Sequence, residues 1–496
     1  MKDRRYVISI DQSTQGTKAL LFDAAGKMLC RTDVPHRQII SKEGWVSHNL
    51  DEIYENTIQA VKRLITEAGV DRNEIACLGI SNQRETAAAW NRLTGKPVAD
   101  AIVWQCSRSK EICDRLSGSN AEAMIWEKTG IRLSPYFPAS KFAWILEHVE
   151  EAGRLAQSGA LLLGTIDTWL IYKLTGGKSC KTEYSNASRT QLFDVKKLRW
   201  DSESCEAFDI PMECLAQVCD SNSIFGETDF DGFLEKPIPI TGVLGDSHAA
   251  LFGHGCVKKG NAKATYGTGS SVMMNVGETP IFSKNGVVTS LAWGIDGKVN
   301  YVLEGNINYA GAVISWLKDS LELIAHAGET QRLAYEANAE DETYLVPAFT
   351  GLGAPYWSSD ARAIFCGMGR TTGKKEIVKA GVECIAYQIA DILQLMRQET
   401  GLEVEKLCVD GGPTRNQYLM QFQSDIAQTG IQVPDAEELS GIGAAYLAGI
   451  NMGLYDEKVF ENLKYQEYRP EKSDEWVRKK RTGWKNAIQK CIVKEK

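Results

Sequence analysis

The stretch GDSHAALFGHG (Gly245–Gly255) sets Asp246, Ser247 and His248 side by side. These are the three residue types of a hydrolytic triad. Triad members converge from separated positions, and three neighbours on one strand or helix point apart, so no triad is built here. A lone carboxylate where a strand ends and a helix starts has another use. Its surroundings decide what that is, and a helix start favours its negative charge. The segment DQSTQGTK (Asp11–Lys18) offers a second chemistry. Small hydroxylated residues let backbone N–H groups approach an anion, Lys18 adds a point charge, and Asp11 can hold Mg²⁺ directly or through water. TYGTGSS (Thr265–Ser271) could clamp a phosphate from the other side. CVDGGPTRN (Cys408–Asn416) ends a strand in Asp-Gly-Gly, whose glycines permit positive φ and the close approach of a flat ligand such as adenosine. No Walker A pattern is present. Each segment alone also reads as an ordinary turn. Together they favour a nucleotide held between two lobes.

The elements that must position these residues alternate. The apolar runs Tyr6–Ile10 and Ala19–Phe22 flank the turn Gln12–Thr17 as a hairpin. NAKATYGTGSSVMMNVGET repeats that scheme about half a chain later, which predicts two similar lobes. Asp51–Val70 has helical periodicity and a Gly stop, Ile75–Asn82 reads as a strand, and Asp167–Leu174 as a helix. Pro237–Asp246 is a strand that stops at Asp246, with a helix after it. EIVKAGVECIAYQIADILQLMRQETG is a long amphipathic helix stopped by Gly401, and NQYLMQFQSDIAQTG a second one after the DGG turn. Such alternation is α/β architecture. The lobe boundary is expected near Cys256–Lys259, dividing the chain into 1–256 and 257–496. The basic tail Arg478–Lys496 reads as a solvated surface helix.

Composition excludes several functions. A net charge of −8 weighs against nucleic acid as a partner. The N-terminal apolar run is too short for a signal peptide, and no stretch approaches a transmembrane length, so a cytoplasmic location and no membrane insertion are expected. The 13 cysteines form no C-x-x-C pair and read as reduced, mostly buried thiols; the six histidines are scattered and suggest no zinc site.

Longer motifs carry a resemblance. ISNQRET (Ile80–Thr86), AIVWQCSR (Ala101–Arg108), PYFPASKFAWILEH (Pro135–His148), YSNASRTQLFD (Tyr184–Asp194), VPAFTGLGAPYW (Val346–Trp357) and QFQSDI (Gln421–Ile426) resemble the FGGY carbohydrate kinases, and among them most closely the glycerol kinases. The likeness runs from about Tyr6 to about Trp484. It implies two ribonuclease-H-like lobes of the actin/hexokinase type around a nucleotide cleft. It also implies ATP-dependent, Mg²⁺-assisted phosphorylation of a terminal hydroxyl on a small polyol, glycerol by default. On this likeness Asp246 is the base and Asp11 the metal residue. Thr14, Lys18 and Thr268 touch the phosphates beside Gln15 and Gly16, and Gly311, Gly412 and Asn416 lie along the nucleotide. Arg84, Glu85, Trp104, Tyr136 and Asp246 form the acceptor pocket: polar groups for hydroxyls, aromatic walls for C–H faces. A homodimer or homotetramer is the implied assembly.

Some residues depart from that pattern. Ser247 stands where glycerol kinases usually carry Gln, and Ser271 where they usually carry Phe. Both changes remove bulk from the pocket, which makes erythritol, threitol, ribulose and xylulose alternative acceptors. Phe230–Ile240 carries neither of two regulatory features of bacterial glycerol kinases, a Gly/Arg loop for a sugar bisphosphate or a phosphorylatable His. Gly381 interrupts a long helix, at a modest helix penalty or for closer packing. A more distant alternative is a non-kinase, actin-like ATPase module.

Overall fold

The computed structural model describes residues 4–492. Two sheets organise them. The first combines β1 (Tyr6–Gln12), β2 (Gly16–Phe22), β3 (Met28–Pro35), β4 (Ile75–Asn82), β5 (Gly226–Thr228) and β6 (Ile238–Gly245) in the order β5-β6-β4-β1-β2-β3. β1, β4 and β6 are mutually parallel neighbours, and β1, β2 and β3 form an antiparallel meander. The second sheet uses β7 (Ala262–Tyr266), β8 (Ser270–Gly277), β9 (Val288–Ile295), β10 (Lys298–Ile307), β11 (Lys406–Asp410), β12 (Gly430–Pro434) and β13 (Tyr465–Tyr468), ordered β9-β10-β8-β7-β11-β12-β13. There β7, β11 and β12 are parallel and β7, β8 and β10 antiparallel. The repeat expected from the two Gly/Thr-rich hairpins is therefore a repeat of whole topology.

All eight residues of β4 are buried, as a central parallel strand requires. The parallel register aligns Gln12 and Gly245 with Asn82, so β1, β4 and β6 deliver their carboxyl ends to one edge. In open α/β sheets that edge is where ligands bind. Helices cover the faces. α1 (Leu50–Ala68) starts on Asn49, whose side chain accepts from Glu52 N, and stops at Gly69 with φ 64°. Residues 83–225, between β4 and β5, bring in α2 (Pro138–His148) and α3 (Ile166–Leu174). Next come α4 (Asp246–Gly253), α5 (Gly311–Asp319), α6 (Lys374–Thr400), α7 (Gln417–Ala427), α8 (Leu439–Asn451) and α9 (Asp474–Cys491).

Helix α8 belongs to the second half of the sequence yet lies on the first sheet and on α4. Glycine makes the approach: a Cβ on Gly79 would sit 2.3 Å from Ala444 O, and one on Gly443 1.8 Å from Ala249 O. Gly381 of α6 serves the same end, since a Cβ there would lie 2.6 Å from Leu317 Cδ1 of α5.

The C-terminal helix corrects the sequence reading. α9 is not simply solvated: Val477, Trp484, Ile488 and Cys491 are buried, and Trp484 stacks on Tyr387 with centroids 5.0 Å apart. Its apolar stripe starts at Val477, one residue before the basic tail, and is diluted by surrounding lysines and arginines; residues 493–496 lie outside the described part. All thirteen cysteines are free. No described helix is long and apolar enough to cross a membrane.

Candidate active site

At the carboxyl edge of the first sheet, the strands hand over functional side chains. β6 ends at Gly245 and Asp246 opens α4, so its carboxylate sits at a helix start as expected. Oδ1 of Asp246 accepts from Ser247 N at 2.6 Å and from Arg84 Nε at 3.0 Å. Arg84 follows β4. Its guanidinium grips Glu304 of β10 through both Nη atoms, at 3.0 Å each, and Nη2 also donates to Ser247 Oγ at 3.2 Å. Ser271 of β8 donates to the same Glu304 at 2.9 Å. A continuous chain Ser247–Arg84–Glu304–Ser271 thus joins the two sheets beside Asp246.

Arg84 and Glu85 are buried, not a surface pair. Glu85 accepts from Arg189 at 2.5 Å, and Arg189 also lies 2.7 Å from Glu304. Burial works against the charge of Glu304, but Arg189 and Arg84 outweigh it and hold its carboxyl well below the usual carboxylate range. His248 is fully buried; burial first, then Arg84, push its pKa well down. The ring stays neutral, 3.5 Å from Arg84 Nη1 on one side and 3.3 Å from Ser290 Oγ on the other. It packs behind the arginine and is not part of a triad.

The two aromatic residues singled out in the sequence come together. Trp104 and Tyr136 meet edge-to-face at 5.6 Å. Trp104 Nε1 donates to Thr14 Oγ1 at 3.0 Å, which ties the wall to the tip of the first hairpin. Beside that tip, Asp11 accepts from Ser81 Oγ at 2.9 Å through Oδ1. Burial raises its carboxyl to about 6, against the pull of Lys18. Lys18 itself pairs with Glu438 at 2.7 Å, and Arg31 reaches the same carboxylate. Gly16 packs flat on β3, where a Cβ would lie 2.8 Å from Val34 O; the exposed Gln15 gives its carbonyl to His36 N.

The remaining residues gather elsewhere. Gly311, Gly412 and Asn416 line one cavity of about 660 Å³ with Thr330, Ile385 and Ser315, within the range of small-molecule sites. Thr268 is tied to the start of α5: its carbonyl accepts from Ala310 N and Ala312 N at 3.0 Å each. Gly411 has φ 100°, and a Cβ there would fall 2.1 Å from Tyr266 O, so the DGG turn needs its first glycine. Asn416 caps α7 and donates to Thr330 Oγ1 at 3.1 Å.

Sequence reasoning missed Glu304, Arg189 and Lys141. Each had a signal: Glu304 is the lone acid within YVLEGNI, Arg189 lies in YSNASRTQLFD and Lys141 in PYFPASKFAWILEH. His254 pairs with Asp410 at 3.1 Å behind the DGG turn, a contact across 156 residues. His36 and His48, scattered in sequence, pack ring to ring at 4.6 Å.

A strand end that bears a carboxylate, a hydroxyl-lined hairpin and a cavity of about 660 Å³ beside a second hairpin are the parts of a two-lobed small-molecule kinase. Comparison with known proteins agrees. Models of the FGGY family of carbohydrate kinases match residues 6–253 with their N-terminal domain and residues 262–452 with their C-terminal domain. The chain belongs to the FGGY family of carbohydrate kinases. It is 46% identical to glycerol kinase 1 of Thermotoga maritima, over 98% of this chain and all of that one, and 44% identical to a glycerol kinase of Brevibacillus brevis over 98% of each. Its fold superposes on a Plasmodium falciparum glycerol kinase crystallised with ADP, with TM-score 0.94 and 34% identity over 99% of both chains. A Lactobacillus acidophilus xylulose kinase shares the fold at TM-score 0.88 and 21% identity, over 98% of this chain and 97% of that one.

Proposed function

We propose that the chain phosphorylates a terminal hydroxyl of glycerol with ATP, giving glycerol 3-phosphate. The observation that carries the roles is the asymmetry of Asp246. Oδ1 is held by Arg84 and Ser247, whereas Oδ2 has no hydrogen bond to any described residue and the side chain is 38% exposed. An acceptor hydroxyl bonded to Oδ2 can pass its proton there as its oxygen forms the new bond to phosphorus. Trp104 and Tyr136 flank the carbon chain, and Arg84 and Glu85 orient its hydroxyls. The roles of Thr14, Gln15, Gly16, Lys18 and Thr268 at the phosphates, and of Gly311, Gly412 and Asn416 along the adenosine, belong to the same reading. So do the lobes 1–256 and 257–496, a cytoplasmic location and assembly as a homodimer or homotetramer.

The residues fit a Mg²⁺ ion held by one carboxylate. Asp11 Oδ2 has no hydrogen bond to any described residue, and its buried carboxyl is poorly solvated. Mg²⁺ characteristically takes one or two carboxylates and completes its shell with water and phosphate oxygens. When bound it neutralises charge on the transferred phosphoryl group.

A second reading rests on Ser247 and Ser271. Both short side chains border the Arg84–Glu304 pair beside Asp246, which favours an acceptor with a fourth or fifth carbon. Release of ADP with and without a panel of glycerol, erythritol, threitol, ribulose and xylulose tests both readings. Glycerol-dependent release supports the first, and stronger release with a longer acceptor the second. ATP hydrolysis indifferent to every acceptor contradicts both.

A further inference from the structure

Lys141 has no local reason to be where it is. It sits in the first turns of α2, is fully buried, and puts an amine where the helix dipole disfavours its charged form. Burial pulls its pKa down to about 7, with Glu85 pulling the other way. Its Nζ donates to two backbone carbonyls: that of Glu85, at 3.3 Å, and that of Tyr136. These belong to two separate segments, each supplying acceptor-pocket residues.

The Glu85 segment needs holding. Glu85 has φ 58°, a left-handed conformation that a non-glycine residue keeps only when its surroundings enforce it. That conformation lets its carboxylate reach Arg189 while its carbonyl faces Lys141. Tyr136, on the other segment, supplies the ring that meets Trp104.

We propose that Lys141 is a positioning residue that clamps the Glu85 and Tyr136 segments together and so sets affinity for the acceptor. This rests on the acceptor-site reading above. Neither Lys141 nor the two segments it joins line the cavity of Gly311, Gly412 and Asn416, so the effect belongs to one substrate.

Steady-state kinetics of the full chain with Lys141→Met and Lys141→Gln, varying glycerol and ATP separately, tests it. Each lost carbonyl contact leaves a buried acceptor unpaired, so Lys141→Met raises the glycerol KM by roughly ten- to a hundredfold. The ATP KM stays within about twofold. Lys141→Gln keeps an amide donor and recovers part of the loss; it also serves if the Met variant does not fold. A glycerol KM unchanged in the Met variant, or in the Gln variant where the Met variant does not fold, or glycerol and ATP KM values rising together in either, overturns the proposal. A parent enzyme without glycerol-dependent ADP release sinks the acceptor reading itself, and is recognised before any variant is compared.

Discussion

Arg84 Nε meets Asp246 Oδ1 at 3.0 Å while the rest of its guanidinium is locked on Glu304. The arginine therefore cannot swing away, and Asp246 presents a fixed, free Oδ2. Arg84 is held from the second sheet although it comes from the first.

Glu304 is the residue on which that arrangement depends. Glu304→Gln leaves Arg84 and Arg189 sharing fewer buried negative charges. Breaking a buried pair in this way costs about 3–5 kcal/mol. Urea denaturation should show a loss of that size together with a lower kcat/KM. A loss below about 1 kcal/mol, the scale of an exposed pair, contradicts this role for Glu304.

Ser247 and Ser271 are predicted to set the length of the acceptor. The double variant Ser247→Gln, Ser271→Phe fills the space beside Asp246. It should lower kcat/KM for erythritol and threitol, relative to glycerol, by about tenfold or more. An unchanged ratio means that these positions do not read chain length.

Gly411 is predicted to be irreplaceable in the nucleotide turn. With φ 100°, and with Tyr266 O only 2.1 Å from where a methyl group would stand, Gly411→Ala strains the backbone and displaces β7. Stability should fall by more than about 1 kcal/mol, and the KM for ATP should rise more than that for the acceptor. Equal changes in the two KM values contradict the assignment.

His254 gives the fold a pH dependence. Burial alone would lower its pKa, but the hydrogen bond to Asp410 and the neighbouring Cys408 raise it from the ordinary 6.5 to about 9. A raised histidine stabilises fully below its unfolded value and loses that contribution as pH rises through the folded one. The melting temperature should therefore fall between pH 6.5 and about 9 more steeply than in His254→Gln. Parallel profiles contradict this.

Much of the candidate site's framework was legible in the sequence, for physical reasons. The apolar run Pro237–Gly245 stops at a carboxylate, and strand ends are where α/β sheets expose side chains. The two hairpins declared themselves by small hydroxylated residues between apolar runs. The glycines at 411 and 412 announced a turn, and at the first of them a bulkier residue does not fit. What was hidden depends on long-range partners. Glu304 is 220 residues from Arg84 and looks like one charge in an ordinary strand. Helix α8 returns to the first sheet through two glycines, Gly79 and Gly443, whose purpose shows only against Ala444 and Ala249. The buried stripe of α9 is masked by basic neighbours that compose its wet face.

The most direct test is Asp246→Asn, assayed for glycerol-dependent ADP release and, separately, for nucleotide binding by calorimetry. The change keeps the side chain's shape and removes the basic carboxylate. General-base loss should lower kcat by about 10²–10⁴-fold, with the nucleotide Kd within about twofold of the parent. A kcat within about tenfold of the parent would mean that another group takes the proton.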